Sequence, residues 1–153
     1  MEGRLSHNPL GMSVFQAAKS WIGTPYRHQM SRKHVGCDCL GLLLGVWREL
    51  GGMPISFEHS YSRDWAECAS EDLLMAAASK YLIPATANKL SIGDVLLFRW
   101  SSFTVSKHIA IYAGDGQIIH AYERHAVCKA SLVPQWRRRI SGTFQFPDRL
   151  NLE

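Results

Sequence analysis

A chain of 153 residues with 46% hydrophobic content has enough apolar material for one compact core and too little for two, so a single domain over 1–153 is expected. A formal net charge of +4 and a pI near 9.0 favour an anionic partner, leaving nucleic acid, anionic lipid and acidic cell-wall polymer open. The longest apolar stretch, 40–47, is broken by Gly41 and Gly45 and falls well short of the ~18 residues a membrane span needs, which excludes membrane insertion by a helix.

The opening MEGRLSHNPLGMS has no apolar run behind a basic start, so no secretory signal peptide is read there and cytoplasmic synthesis is expected. In a chain read that way, Cys37, Cys39, Cys68 and Cys128 point to reduced thiols rather than a disulfide framework. Val14, Phe15, Ala18, Trp21 and Ile22 fall on one helical face after Ser13, and Gly23, Thr24 and Pro25 stop that first helix. The second helix is the clearest: Cys39, Leu42, Leu43, Val46, Trp47 and Leu50 repeat at helical spacing, with Asp38 as N-cap and Gly51 and Gly52 at the end. A third is predicted over 70–81, with Leu73, Leu74, Ala77, Ala78 and Tyr81 inward.

After Leu90 the pattern changes. Ser91 to Asp94 is turn chemistry, 95–100 is a short apolar run suited to a buried strand, and 108–113 and 117–122 flank Gly114, Asp115 and Gly116 as a hairpin. Further strands are predicted over 126–133 and 143–146, giving helices first and an antiparallel sheet after: an α+β fold.

Cys39 opens a helix, where the macrodipole and unpaired N–H groups favour a thiolate. A free cysteine heading an apolar face also packs well, so helix placement alone does not decide between the two roles. A nucleophilic thiol needs a base and a group that orients the base. The hairpin supplies both if its register allows. A two-residue turn at Asp115 and Gly116 sets His120 opposite Ile111 and leaves His108 and His120 on opposite faces. A three-residue loop pairs Ala113 with Gln117 and sets His120 opposite Ala110, diagonal to His108, on the same face. Gly116 suits the left-handed position of such a loop, so the three-residue register is predicted. Of the seven histidines, His7, His28, His34, His59 and His125 read as ordinary surface or sheet residues.

The segments Trp21 to Tyr26, Asp38 and Cys39, Gly93 to Phe98, His108 to Tyr112 and Ile119 to Ala121 stand in the order of the NlpC/P60 signature, and over nearly its whole length the chain resembles that family. GCDCLGL, HAYE and the basic WRRR stretch are similar to phage-type members, including cell-wall peptidases of gene transfer agents. The resemblance implies a papain-like core in which Cys39 attacks an amide, His108 is base and then acid, and His120 orients His108. It further implies a peptidoglycan stem-peptide substrate cleaved near a D-γ-glutamyl bond to a diamino acid, with Tyr26 and Asp38 lining the site and no cofactor or metal. It also implies carriage on a phage-like particle with tail-tip partners and action in the periplasm. The family commonly has Asp-Cys-Ser where this chain has Asp38, Cys39 and Leu40; the missing hydroxyl argues against recognition of a free stem-peptide amine and favours an endopeptidase.

Other chemistries fit less well. Cys37 and Cys39 with His28 and His34 lack zinc-ligand spacing and a second pair. Trp136 to Arg139 reads as a solvated strand end with snorkelling stems rather than a nucleic-acid site. An acyltransferase or amidase using the same Cys-His pair, and a non-catalytic wall-binding tail protein, are the alternatives.

Overall fold

The computed structural model describes residues 8–55, 72–86 and 88–148. In chain order these form α1 (Gly11–Lys19), β1 (Ser31–Arg32), β2 (Gly36–Cys37), α2 (Cys39–Glu49), α3 (Leu73–Tyr81), β3 (Ile83–Pro84), β4 (Val95–Phe98), β5 (His108–Gly114), β6 (Gln117–His120), β7 (Cys128–Ser131), the one-turn helix α4 (Pro134–Arg137) and β8 (Ile140–Gln145). The fold is α+β as expected, with helices leading into a sheet of order β3-β8-β4-β5-β6-β7 in which every neighbouring pair is antiparallel. Among the described residues no helix is long and apolar enough to cross a membrane.

The central strands are buried on both faces, which is why their sequences run apolar without alternating. One face, with Val95, Leu97, Ile109, Ile111 and Ile119, packs against Val14, Ala18 and Trp21 and against Leu42 and Val46 of α2. The other, with Leu96, Phe98, Ala110, Tyr112 and Ile118, is closed by Leu132 and Trp136. The helix that begins with Cys39 and the face that carries His108 therefore belong to different layers, and they approach each other at the start of β5.

α2 has the expected boundaries. The Asp38 carboxylate accepts from the Gly41 N–H at 2.8 Å. At the far end the N–H groups of Gly51 and Gly52 donate to the carbonyls of Arg48 and Trp47, the paired bonds of a left-handed C-cap. Gly45 is glycine because a Cβ there would collide with the Trp21 ring, so the close approach of Trp21 to α2 depends on it. The helix buries more than the stripe read from spacing: Leu40, Gly41 and Gly45 are enclosed too.

α1 departs from expectation at both ends. It begins at Gly11, with Leu10 as an N-cap that makes no side-chain hydrogen bond, and stops at Lys19, so Ser13 lies inside it and Ile22 is exposed beyond it. α3 is described from Leu73, capped by Asp72 on the Met75 N–H; residues 70 and 71 of the expected helix lie outside the described residues, as does Cys68. Leu74 and Ala78 are buried, but Leu73 faces out. The strands are trimmed at their ends relative to the expected 95–100, 117–122 and 126–133, while the last begins earlier, at Ile140. The two-residue strands β1, β2 and β3 were too short to register as periodicity.

The hairpin has the predicted register by a different route. Ile111 pairs with Ile119 and Tyr112 with Ile118, which sets His120 opposite Ala110 as expected. At the turn, however, Gln117 pairs with Gly114, not Ala113, across a register shift. Asp115 and Gly116 are both left-handed, at φ 52° and 70°, as a two-residue hairpin turn requires. The shift before Gly114, itself at φ 85°, inserts the extra residue that turns the two-residue loop into the three-residue register.

Candidate active site

His108 and His120 are both buried, and the Nε2 of His108 lies 2.9 Å from the Nδ1 of His120. That bond leaves Nδ1 as the free ring nitrogen of His108. If His108 donates from Nε2, its Nδ1 carries the lone pair and is the basic atom; this tautomer makes His108 a base with His120 behind it.

The pair sits in an aromatic enclosure. Around His108, Trp100 stacks at 6.4 Å between centroids and 22° between planes, Tyr122 meets the ring edge-on at 5.5 Å, Trp136 at 5.6 Å, and Phe98 packs at 5.9 Å. Tyr122 stacks on His120 at 5.8 Å. Enclosed in this way, the imidazolium form is disfavoured: burial, reinforced by neighbouring His120, lowers His108 to about 3. Burial, then His125, lowers His120 to about 4.

Cys39 is half-buried at the start of α2 and is a free thiol. Its sulfur is served by the backbone N–H groups of Ile109, Leu40 and Cys39 itself, each of which favours the thiolate. Burial and the Asp38 charge outweigh them and push the thiol up to about 12. The Ile109 contact brings the sulfur to the residue next to His108, although no hydrogen bond joins thiol and imidazole. Both shifts favour the uncharged thiol and the uncharged imidazole, and the hydrogen bonds of such sites often tighten only with substrate.

Asp38 is 2% exposed and spends both carboxylate oxygens inside the protein: Oδ1 on the Gly41 N–H, and Oδ2 on the Gln29 N–H at 2.7 Å, with the His28 ring 3.8 Å away. It ties the 27–30 loop to the helix that presents Cys39. Tyr26 is half-buried, and its backbone bridges Cys37, two residues before Cys39. Cys37 is wholly buried and its thiol is also raised to about 12, by burial first and Asp38 second. Cys128 faces His120 across the β6–β7 pair. Among the described residues no group of three or more His, Cys, Asp or Glu side chains could hold a metal ion.

Trp100, Trp136 and Phe98 were not singled out by sequence as parts of this site. Trp136 corrects an expectation: it stands on α4, after Pro134, with its ring half-buried against His108 and His120 rather than at a solvated strand end. The spacing of Phe98 and Trp100, two residues apart next to the histidine strand, was the available signal.

Comparison with known proteins follows the same lines. Murein DD-endopeptidase MepS/Murein LD-carboxypeptidase of Escherichia coli (strain K12) is 28% identical over 122 residues, 79% of this chain and 55% of that protein. Gamma-DL-glutamyl hydrolase of Bacillus subtilis (strain 168) is 28% identical over 134 residues, 87% of this chain and 29% of that one. The chain thus spans about half the length of the first of these relatives and under a third of the second. Among solved structures, an NlpC/P60 family protein from Bacillus cereus ATCC 10987 superposes with a TM-score of 0.64 at 19% identity, covering 92% of this chain and 41% of that one, which places the fold with the papain-like members. The model of the NlpC/P60 family matches residues 23–144, from the turn that ends α1 to the last strand of the sheet. A match of that extent, enclosing Cys39 and the histidine hairpin alike, means that the chain belongs to the NlpC/P60 family.

Proposed function

We propose that this domain is a cysteine peptidase that hydrolyses peptide bonds in peptidoglycan stem peptides. The observation that carries the reading is the His108–His120 hydrogen bond of 2.9 Å, set one residue from the Ile109 amide that serves the Cys39 sulfur. In this mechanism Cys39 attacks the amide carbon while the Nδ1 of His108 takes the thiol proton. His120 accepts from the Nε2–H of His108, fixing its tautomer and steadying the imidazolium as it forms. N–H groups at the start of α2 meet the developing oxyanion. His108 then returns the proton to the leaving amine, and water releases the acyl-enzyme by the same steps.

The substrate class is supported by the names of the relatives, one a murein endopeptidase and the other a gamma-DL-glutamyl hydrolase. We place the cut near the D-γ-glutamyl bond to the diamino acid, and in an intact stem because Leu40 stands where the family resemblance leads one to expect a serine. Tyr26 contacts substrate in this reading, while Asp38 positions the helix start, both its oxygens being engaged within the protein. Delivery by a phage-like particle through tail-tip proteins to the periplasm completes the proposal; it requires co-purification with particles.

Incubation with purified peptidoglycan, followed by mass spectrometry of released fragments, tests the activity. New stem-peptide products with the parent protein and none with Cys39→Ala are expected. Products from both proteins, or from neither while both are folded, would sink the peptidase reading.

A further inference from the structure

Seventeen basic residues face thirteen acidic ones, and four of the basic ones, Arg99 and the run Arg137 to Arg139, lie where the end of β4 passes the start of β8: the Arg99 N–H donates to the Arg139 carbonyl at 2.9 Å. Arg137 to Arg139 are exposed, and among the described residues no ion pair engages any of the four.

This patch is continuous with the candidate site. The Arg139 guanidinium lies over the Trp100 ring at 5.6 Å, Trp100 stacks on His108 at 6.4 Å, and Trp136 touches both. Stacking on an aromatic face holds a guanidinium in place and leaves its N–H edge directed outward, the arrangement that grips a carboxylate in two-point fashion.

Position decides which half of a substrate this edge would hold. The general acid must face the amine it protonates, so the leaving-group segment passes on the His108 side of the scissile bond. From His108 to the Arg139 guanidinium is two ring steps, a span that three or four extended residues at ~3.5 Å each can cover.

Building on the peptidase reading, we propose that Arg139, seated on Trp100 and backed by Arg137 and Arg138, forms a leaving-group subsite selective for a peptide segment bearing a free carboxylate. Amidation of that carboxylate removes the charge the arginines meet and weakens binding.

The test uses two synthetic stem peptides, identical except that the carboxylate on the amine side of the scissile bond is free in one and amidated in the other. Binding is measured calorimetrically on Cys39→Ala protein, so that no turnover intervenes. The free acid is expected to bind about tenfold tighter at low salt, a charge-assisted contact of ~1.4 kcal/mol, with the ratio shrinking as salt rises. In the Arg137→Gln/Arg138→Gln/Arg139→Gln background the ratio should fall to about one, and Arg139→Gln alone should remove most of it. A ratio near one before the arginines are changed, a ratio that survives the triple substitution, or no binding of either peptide would overturn the subsite. Discrimination without hydrolysis by the parent protein would instead fell the peptidase reading and leave the subsite standing.

Discussion

Replacing Asp38 by asparagine should separate the stability of the site from the reactivity of its thiol. The carboxylate is buried, caps α2 through the Gly41 N–H at 2.8 Å and accepts the Gln29 N–H at 2.7 Å. An asparagine oxygen can serve only one of these donors; its NH2 then faces the other N–H, leaving a buried donor unpaired at a cost of about 1–3 kcal/mol. Loss of a negative charge at a helix N-terminus adds about 0.3–1 kcal/mol. A destabilisation of ~2–3 kcal/mol is expected in denaturant titration, and Asp38→Ala, which loses the cap outright, should cost as much or more. The thiol should move the other way. Asp38 is the second cause of the raised Cys39, after burial, so its removal lowers the alkylation midpoint from about 12 but leaves it above the ordinary 9.0. Iodoacetamide labelling across pH, with the modified cysteine located by peptide mass spectrometry to separate Cys39 from Cys37, reads this directly. An unchanged or higher midpoint, or stability within ~0.5 kcal/mol of the parent, would refute the reasoning.

Three further tests follow. The two buried imidazoles have lowered values, about 3 and about 4 against an ordinary 6.5, so their contribution to stability is complete above 6.5 and is lost as pH falls towards those values. On the order of 2 kcal/mol per imidazole should vanish between pH 6.5 and 5 in urea titrations, and a His108→Gln/His120→Gln protein should lack that slope. Gly45→Ala should destabilise by ~1–3 kcal/mol and alter Trp21 fluorescence, since the added methyl meets that ring; a neutral effect would mean that the ring yields freely. The Thr143 hydroxyl is buried without a hydrogen-bond partner, so Thr143→Val should raise stability by ~1 kcal/mol, and a loss on denaturation would show the hydroxyl to be satisfied.

What the sequence made legible was whatever a single element encodes. The stripe from Cys39 to Leu50, with Asp38 before it and two glycines after, carries its own boundaries, and α2 follows them. The hairpin register was legible because Gly116 suits the left-handed end of a three-residue loop, the register that puts both histidines on one face, yet its means was not. A shift at Gly114 and a two-residue turn replace the simple three-residue loop, and both options share the same three turn residues. α1 was misplaced at its start because Gly11, a poor helix former, is held by packing against Gly93 and Ile92, contacts from the far half of the chain. The aromatic enclosure was illegible for a similar reason. Trp100 and Trp136 lie 36 residues apart in sequence and 5.5 Å apart in space, brought together by the pairing of β4 with β8. A stretch read in isolation as tryptophan and solvated arginines thus becomes one wall of a buried histidine pair.

That wall also constrains how the chemistry can proceed. Burial raises the Cys39 thiol and lowers His108, so in the resting site each group resists the charged form that proton transfer from thiol to imidazole would give it. A preformed thiolate–imidazolium pair is therefore a poor starting point for this site. In the proposed peptidase, proton transfer coupled to attack avoids it: the sulfur's charge passes to the carbonyl oxygen as it develops, and the helix-start N–H groups meet it there. Such a site should react slowly with small alkylating agents at pH 7, more slowly than free cysteine, even if it turns over a fitting peptide. Rapid alkylation of resting Cys39 at neutral pH would show that an ion pair is already formed and that the aromatic wall does not exclude charge.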